Sequence, residues 1–462
     1  MTSVEPVAAG AQLECLATIE AELLAAVQVK VAEALERRAD TELKPADRGW
    51  IAELVQGEIE AYHSSAPHRR LPILNANGYE EVRRRVLARV GPLGPLAELL
   101  TDPLVEEVIV NGPDEVLVVK DGTQHVSNIR FESEDALLTT VQRLLGSGAA
   151  HLDRASPMVT ATMEDGSRLN AVLPPVAVPM AVTIRRHQLA RFGRLADLAG
   201  VGTLPWELIP LLQAAVRARL NLIVSGSTGS GKTTLLRLLI SEVPSWERII
   251  TIEDQRELHL RTTQGGRPNT ISLEARDPNT EGRGEVTIQQ LVRNALRQRP
   301  DRIFVGECRG AEALDVVDAM GTGHDGSGTT LHANSARDAL LRLAGLVRRH
   351  PAQARADPGA IARELAAKVD LVVHLARMRR PDGADQRVIQ AVGLVTGQVE
   401  GDLPLLESVC HHQRARGTWE WDLTRLDDLP AKVQDKLDSA GIAVNNLLGR
   451  FPGPAPGHSR WV

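Results

Sequence analysis

Eight consecutive residues, Gly226-Ser227-Thr228-Gly229-Ser230-Gly231-Lys232-Thr233, have the types and the spacing to grip a polyphosphate. They satisfy G-x-x-x-x-G-K-[ST], a pattern in which glycines let backbone N–H groups turn inward around phosphate oxygens. In such a loop Lys232 reaches the β- and γ-phosphates and the Thr233 hydroxyl completes the shell of a Mg²⁺ ion, with Thr234 next in line on the phosphate side. The chemistry implied is binding of a nucleoside triphosphate.

Hydrolysis needs more: a group that orients water and acids that hold the metal. Glu307 closes the apolar run Arg302-Ile303-Phe304-Val305-Gly306, so it reads as a carboxylate at the end of a parallel strand, where ligand crevices lie. The alternative for Glu307 is a solvated strand end. Ile249-Ile250-Thr251-Ile252 leads likewise into Glu253 and Asp254, candidate metal acids whose alternative is a helix cap or turn. His324 and His332 sit in Gly321 to Asn334, whose glycine density reads as a mobile loop leading through a short strand, Thr329-Thr330-Leu331, into His332. Their spacing fits no zinc pattern, and a sensor of the γ-phosphate or of bound water fits better than an incidental histidine. Arg168, Arg185 and Arg186 are candidates for stabilising charge that develops on the γ-oxygens, although any one of them can be a plain solvated charge.

These groups must be positioned by elements, and the elements are legible. Leu220 to Ser225 is a short apolar run suited to a buried parallel strand, and Lys232 to Glu242 has helical character with no Gly or Pro. Strands alternating with helices over 206–400 predict a wound parallel sheet. Ahead of it, 81–190 reads as an α+β domain: β-rich Val108 to Asn111 and Val116 to Val119 around a Gly112-Pro113-Asp114 turn, a helix from Glu134 to Leu145, then strands Met158–Met163, Arg168–Leu173 and Ala181–Arg185. Glycines and Pro205 mark 191–205 as a linker. Residues 1–80 read as a helical extension, with Leu23, Leu24, Val27 and Val31, then Ile51, Leu54, Val55 and Ile59, at helical spacing and a hinge-like stretch from His63 to Arg70. Residues 401–462 read as a polar extension with one helix, Pro430 to Ala440, and a disordered tail from Pro452 to Val462.

Bulk properties narrow the classes. A 43% apolar share supplies real cores, while 53 basic against 59 acidic side chains leave a net charge of −6 and no global pull toward nucleic acid or anionic lipid. Aromatic residues are 3% of the chain, too few for extensive base stacking. Cys15, Cys308 and Cys410 form no C-x-x-C pair, which fits a reducing compartment. No apolar window spans 18 residues, so neither a signal peptide nor a transmembrane segment is expected.

Four motifs in order resemble the bacterial secretion ATPases, specifically the CpaF/TadA group of the type II/type IV secretion superfamily. Leu99 to Pro103, Val108 to Pro113, Ser156 to Met158, Asp165 to Ala171 and Thr183 to Arg186 resemble that family's N-terminal domain. Thr251-Ile252-Glu253-Asp254 resembles its Asp box, Arg299 to Gly310 its divergent Walker B, and Thr322 to Ser327 with His332 to Ser335 its His box. Ser227 departs from a usual glycine, and Gly328-Thr329-Thr330 from a larger apolar residue. The resemblance implies a RecA-like P-loop ATPase domain behind an α+β domain. It further implies ATP and Mg²⁺ as ligands and a homohexameric ring at the cytoplasmic face of the inner membrane, docked on a platform protein. In residue terms it implies that Glu307 acts on the attacking water, that Glu253, Asp254 and His332 support metal and phosphate, and that Arg168, Arg185 and Arg186 reach the nucleotide. A motor for Tad/Flp-type pilus assembly or type II/IV secretion follows; the alternative is a nucleic-acid translocase or conjugative transfer ATPase on the same core. A GTPase is disfavoured, since no N-K-x-D motif occurs.

Overall fold

The protein's structure, a computed structural model, describes all residues except 1–8, 39–46, 70, 92, 121, 147–151, 164, 187–191, 261–268, 277, 279–282, 380–384, 414–416, 423–428 and 444–462. The expected disordered tail from Pro452 lies outside the described residues. The chain divides into two compact units, Met1–His187 and Gln188–Val462.

In the first unit α1 (Ala9–Arg38), α2 (Arg48–Arg69) and α3 (Ala76–Val90) form a bundle. Its core is one stripe per helix: Ile19, Leu23, Val27 and Val31, then Ile51, Val55 and Ile59, then Val82, Val86 and Val90. Steps of four residues keep each stripe on one face. Of the hinge expected from His63 to Arg70, the described residues His63 to Arg69 are instead the end of α2, because Tyr62 and Ala66 continue the buried stripe and Pro67 falls only in the last turn. The bundle also runs past residue 80, where the helical extension was expected to end.

The α+β part follows as α4 (Ala97–Thr101), β1 (Val105–Asn111), β2 (Glu115–Lys120), β3 (Thr123–Val126), α5 (Glu134–Leu145), β4 (Met158–Thr162), β5 (Arg168–Val172) and β6 (Ala181–Arg185). The six strands make one antiparallel sheet in the order β3-β2-β1-β6-β5-β4. Both expected turns are present. Gly112 adopts φ +76 between β1 and β2, and Gly166 φ +84 between β4 and β5, where the Asp165 carboxylate accepts from Ser167 N at 2.9 Å. Ser133 caps α5 by accepting from Ala136 N.

The second unit opens with α6 (Leu195–Gly200) and α7 (Leu208–Arg217). The stretch 191–205, read as a linker from its glycines, packs Leu195, Leu198, Ala199 and Leu204 into the core; glycine frequency is a weak signal beside buried leucines. Then come β7 (Leu222–Gly226), α8 (Lys232–Ser241), β8 (Ile249–Glu253), β9 (Thr270–Glu274), α9 (Ile288–Ala295), β10 (Arg302–Val305), α10 (Glu312–Gly321), β11 (Gly328–His332), α11 (Ala336–Arg348), α12 (Pro358–Lys368), β12 (Leu371–Arg379), β13 (Asp385–Glu400), β14 (Leu403–Gln413), β15 (Thr418–Trp421) and α13 (Ala431–Ser439). The sheet order is β15-β14-β13-β12-β7-β11-β10-β8-β9, parallel from β12 to β9 and antiparallel from β12 to β15. Alternation feeds two cores: Leu222 and Val224 join α6, α7, α8 and α13, while Ile223 joins α9 to α12.

The sheet does not stop at residue 400. Residues 403–413 and 418–421, read as polar extension, are strands, because Val409 and Cys410 are buried against the same core while polar neighbours face out. The helix expected from Pro430 to Ala440 is α13.

A fully buried guanidinium ties the foot of β10 to its surroundings. Arg302 meets both oxygens of Glu247 at 2.7 and 3.0 Å and the Val216 carbonyl at 2.6 Å. Removing Arg302 leaves the buried Glu247 carboxylate with only the part-exposed Arg219 at 3.2 Å, so Arg302→Met should destabilise the protein by about 3 kcal/mol, with Arg302→Met/Glu247→Leu recovering most of the loss. Urea denaturation followed by circular dichroism checks this; a double variant no more stable than the single one would contradict it.

Candidate functional site

The loop from Gly226 to Gly231 leaves β7 and enters α8 at Lys232. Gly226 has φ +153, and a Cβ there would lie 2.3 Å from the Leu375 carbonyl oxygen and 2.6 Å from Ser230 Oγ, so no other residue fits. Gly231 takes φ +96 at the helix start. The buried Lys232 ammonium donates to the Gly226 and Ser227 carbonyls at 3.1 and 2.9 Å. Ser230 Oγ donates to Ser227 O at 2.8 Å and closes the loop on itself. Beneath the loop, Ser225 Oγ and His374 Nδ1 are 2.9 Å apart and buried. Burial holds the His374 pKa below the ordinary histidine value, with Asp338 acting against it and the charge of Lys232 with it.

The acids stand on the same sheet edge. Beyond β10, Gly306 N donates to Ile252 O at 2.8 Å and Cys308 N to Thr330 O at 3.0 Å, which keeps Glu307 in line with the sheet. Glu307 Oε2 accepts from Arg309 at 2.8 Å, and His332 Nε2 lies 2.9 Å from its Oε1 but off the hydrogen-bond direction. His332 itself pairs in register with Gly226, the first residue of the loop. Arg309 also reaches Asp254 at 3.2 Å, so one guanidinium bridges two of the acids. Burial and then the Lys232 charge lower the His332 pKa, with Glu307 acting the other way, so the ring is neutral at pH 7. Burial pushes the neighbouring Cys308 thiol up to about 12, which makes it inert.

Glu253 differs from the other acids. It is 3% exposed, its Oε1 accepts from Glu257 N and Leu258 N, each at 3.0 Å, and its Oε2 is buried with no hydrogen-bond partner. A Cβ at Gly306 would come within 2.9 Å of Glu253 Cγ, so the glycine makes room for the carboxylate. Burial pushes this carboxyl up to about 7, against the two N–H donors and with repulsion from Glu257 and Glu274 added.

These residues fit a Mg²⁺ ion bound with phosphate. Thr233 opens α8 on the loop, Glu253 holds an orphaned oxygen, and Asp254 adjoins it. Among the described residues no three acids, histidines or cysteines cluster as a cage. Mg²⁺ needs none, since it takes one or two protein oxygens and fills its octahedron with phosphate and water.

The structure thus brings the loop residues Gly226 to Thr234 together with Glu307, His332, Glu253 and Asp254. His324 is elsewhere. β11 runs parallel to β7 with Gly328 beside Leu222, so the turn before it sits at the opposite sheet edge from the phosphate loop. That turn is also no mobile loop: the Asn221 side-chain oxygen accepts from Gly326 N and Ser327 N at 2.8 and 3.2 Å. Arg168, Arg185 and Arg186 belong to the first unit, Arg168 opposite Arg185 on β5 and β6. The Arg186 guanidinium donates to the Asp102 carbonyl. Sequence reasoning overlooked the roles of Arg309 and His374; the first was signalled only by its place two residues after Glu307.

Residues 91–419 match the family described as Type II/IV secretion system protein. A putative conjugal transfer protein of Mycobacterium tuberculosis is 37% identical over 356 residues, covering 76% of this chain and 94% of its own length. The type IV secretion system protein VirB11 of Brucella suis is 34% identical over 315 residues, covering 61% of this chain and 84% of its own length. The crystal structure of the VirB11 ATPase from the Brucella suis type IV secretion system in complex with sulphate aligns at 29% identity with a TM-score of 0.36, over 67% of this chain and 98% of that one.

A carboxyl that is protonated more readily when folded costs stability as pH rises. Glu253 is neutral in both states below its unfolded value of 4.5, and between 4.5 and about 7 only the unfolded chain sheds the proton. In the nucleotide-free protein Glu253→Gln should therefore match the parent at pH 4.5 and become more stable with rising pH, reaching a gain of about 3 kcal/mol by pH 8. Denaturation at several pH values checks this; a pH-independent difference would mean an ordinary carboxylate.

Proposed function

Because the chain belongs to the type II/IV secretion system protein family, we propose that it is an ATP-hydrolysing hexameric motor that powers Tad/Flp-type pilus assembly or type II/IV secretion. It works from the cytoplasmic face of the membrane, docked on an inner-membrane platform protein. The observation that carries this reading is the meeting, on one sheet edge, of a phosphate loop with the Glu307–His332 pair at 2.9 Å.

The chain's residues then act as follows. Backbone N–H groups of the loop take the β-phosphate, and Lys232 exchanges the Gly226 and Ser227 carbonyls for β- and γ-oxygens. Thr233 with Glu253 or Asp254 would hold a Mg²⁺ ion, which would supply countercharge to the triphosphate. Glu307 orients the attacking water and accepts its proton, while neutral His332 beside it donates toward the γ-phosphate. Arg168, Arg185 or Arg186, from the same chain or a neighbour in the ring, answers the charge that develops on the γ-oxygens. Work comes from differential affinity, ATP favouring one arrangement of the units and ADP another.

A second reading, a conjugative transfer ATPase, is favoured by the description of the Mycobacterium tuberculosis relative as a putative conjugal transfer protein. Filter binding with single- and double-stranded DNA at moderate salt separates a nucleic-acid translocase from a protein-moving motor.

Lys232→Ala should abolish turnover and most ATP binding; a variant that still turns over would refute the loop assignment. Glu307→Gln should keep ATP binding and lower the hydrolysis rate by about 10²-fold or more, the scale of a lost proton-transfer group. Mixing Lys232→Ala chains with Arg185→Ala/Arg186→Ala chains should restore activity that neither parent has, if the arginines act between subunits. Absence of recovery would assign them to their own chain.

A further inference from the structure

The catalytic acids occupy only one flank of the phosphate loop. β7 lies between β11, which carries His332, and β12, and neither Glu307 nor any other proposed acid stands on the β12 side. β12 does not end with its neighbour. Leu375 pairs with Gly226, the last residue of β7, but β12 continues to Arg379 with β13 alongside, so a two-stranded ribbon projects past the loop.

Two arginines of that ribbon stand against the loop. Arg377 and Arg387 are direct cross-strand partners, so their side chains share one face. It is the α8 face: Arg377 continues the alternation of Val373 and Leu375, and Arg387 precedes Ile389 by two, all three apolar residues belonging to the α8 core. Arg387 Nε donates to the Gly229 carbonyl at 3.0 Å, and its Cδ would lie 3.7 Å from a Cβ on Gly231. Arg377 Nη1 would lie 4.0 Å from a Cβ on Gly229.

A triphosphate in the loop has two ends. Glu307 and His332 mark the γ end on the β10–β11 flank. The nucleoside must leave on the other side, over the ribbon. The phosphates already have the loop N–H groups and Lys232, so two further guanidinium groups on the nucleoside side match a different partner. Guanidinium is planar and weakly hydrated, and it stacks on aromatic planes.

We propose that Arg377 and Arg387 form the wall of the site that receives the nucleoside, their guanidinium planes stacking on the base, with Arg387 tying that wall to the loop through Gly229. This rests on the ATP reading above and adds to it which residues distinguish a nucleotide from a bare polyphosphate. Arg377 is the cleaner probe, because Arg387 also braces the loop.

The test is calorimetric titration of the full chain, with Mg²⁺, using a non-hydrolysable ATP analogue (AMP-PNP) and inorganic triphosphate. Failure of the parent chain to bind the analogue would overturn the ATP reading itself. Given binding, Arg377→Ala should weaken the analogue about tenfold, the scale of one lost cation–π contact, and leave inorganic triphosphate within about twofold. Arg377→Lys should weaken the analogue as well, since it keeps the charge and loses the plane. An unchanged analogue affinity, a parallel loss for both ligands, or full rescue by lysine would each overturn the proposal. Arg377 is solvent-exposed, and an unchanged melting temperature excludes misfolding as the source of a loss.

Discussion

Strand β12 approaches the end of β7 so closely that Gly226 has no space for a side chain, and the arrangement of the phosphate loop depends on that approach. The Leu375 carbonyl oxygen stands where a Cβ would be, 2.3 Å from it. A backbone pressed against a neighbouring backbone cannot relax the way a side-chain contact can. The loop therefore departs from β7 in one direction, with Ser230 folded back on Ser227 and the Lys232 ammonium lying over its own carbonyls. Parallel register then does the rest. His332 is level with Gly226, and Val305 is level with Thr329 and Ile252, so four strand ends deliver their polar residues to one edge.

The electrostatics of that edge describe a site whose charges satisfy one another. Lys232 is answered by two carbonyls, and Arg309 by Glu307 and Asp254. On the proposed reading, an incoming triphosphate must compete with the partners of both cations. Glu253 stands apart because burial pushes its carboxyl up to about 7, so that protonated and ionised forms coexist near neutral pH. On the proposed reading, a cation brought beside its unpartnered oxygen would favour the anion, which links its ionisation to metal binding.

Much of this was legible in the sequence, for definite reasons. The phosphate loop announces itself because backbone geometry demands glycines at fixed offsets. Glu307 and Glu253 were legible because a parallel strand is a short apolar run and its end is the ligand edge. The failures have equally definite causes. The His324 turn was assigned to the phosphate because glycine density reads as a loop, but which end of a strand a loop serves depends on strand direction and register. The linker and the last strands were misread because local composition hid leucines and valines whose burial partners are far away in the chain. Arg387 carried no local signal, since its contact with Gly229 exists only through pairing of β12 with both β7 and β13.

The opposite edge of the same sheet explains how the site edge can afford carbonyls and carboxylates in exchangeable pairs. There Asn221 and Asp370 are buried, and part-exposed lysines reach in to them. Asn221, at the entry to β7, donates to the Met320 and Lys368 carbonyls at 3.0 and 2.7 Å, and its own N–H donates to Asp370 at 2.8 Å. Lys436 from α13 reaches Asp370 and Asp325, each at 2.7 Å, and Lys432 lies 3.2 Å from Asp370. The entries to β7, β11 and β12 are thereby fastened to one another and to a helix near the end of the described chain. Partners held this way cannot be swapped without stranding a buried charge, which fixes strand register from below. On the proposed reading, register fixed at one edge would allow side chains at the other to change partners as nucleotide binds and leaves while the strands that present them stay in place.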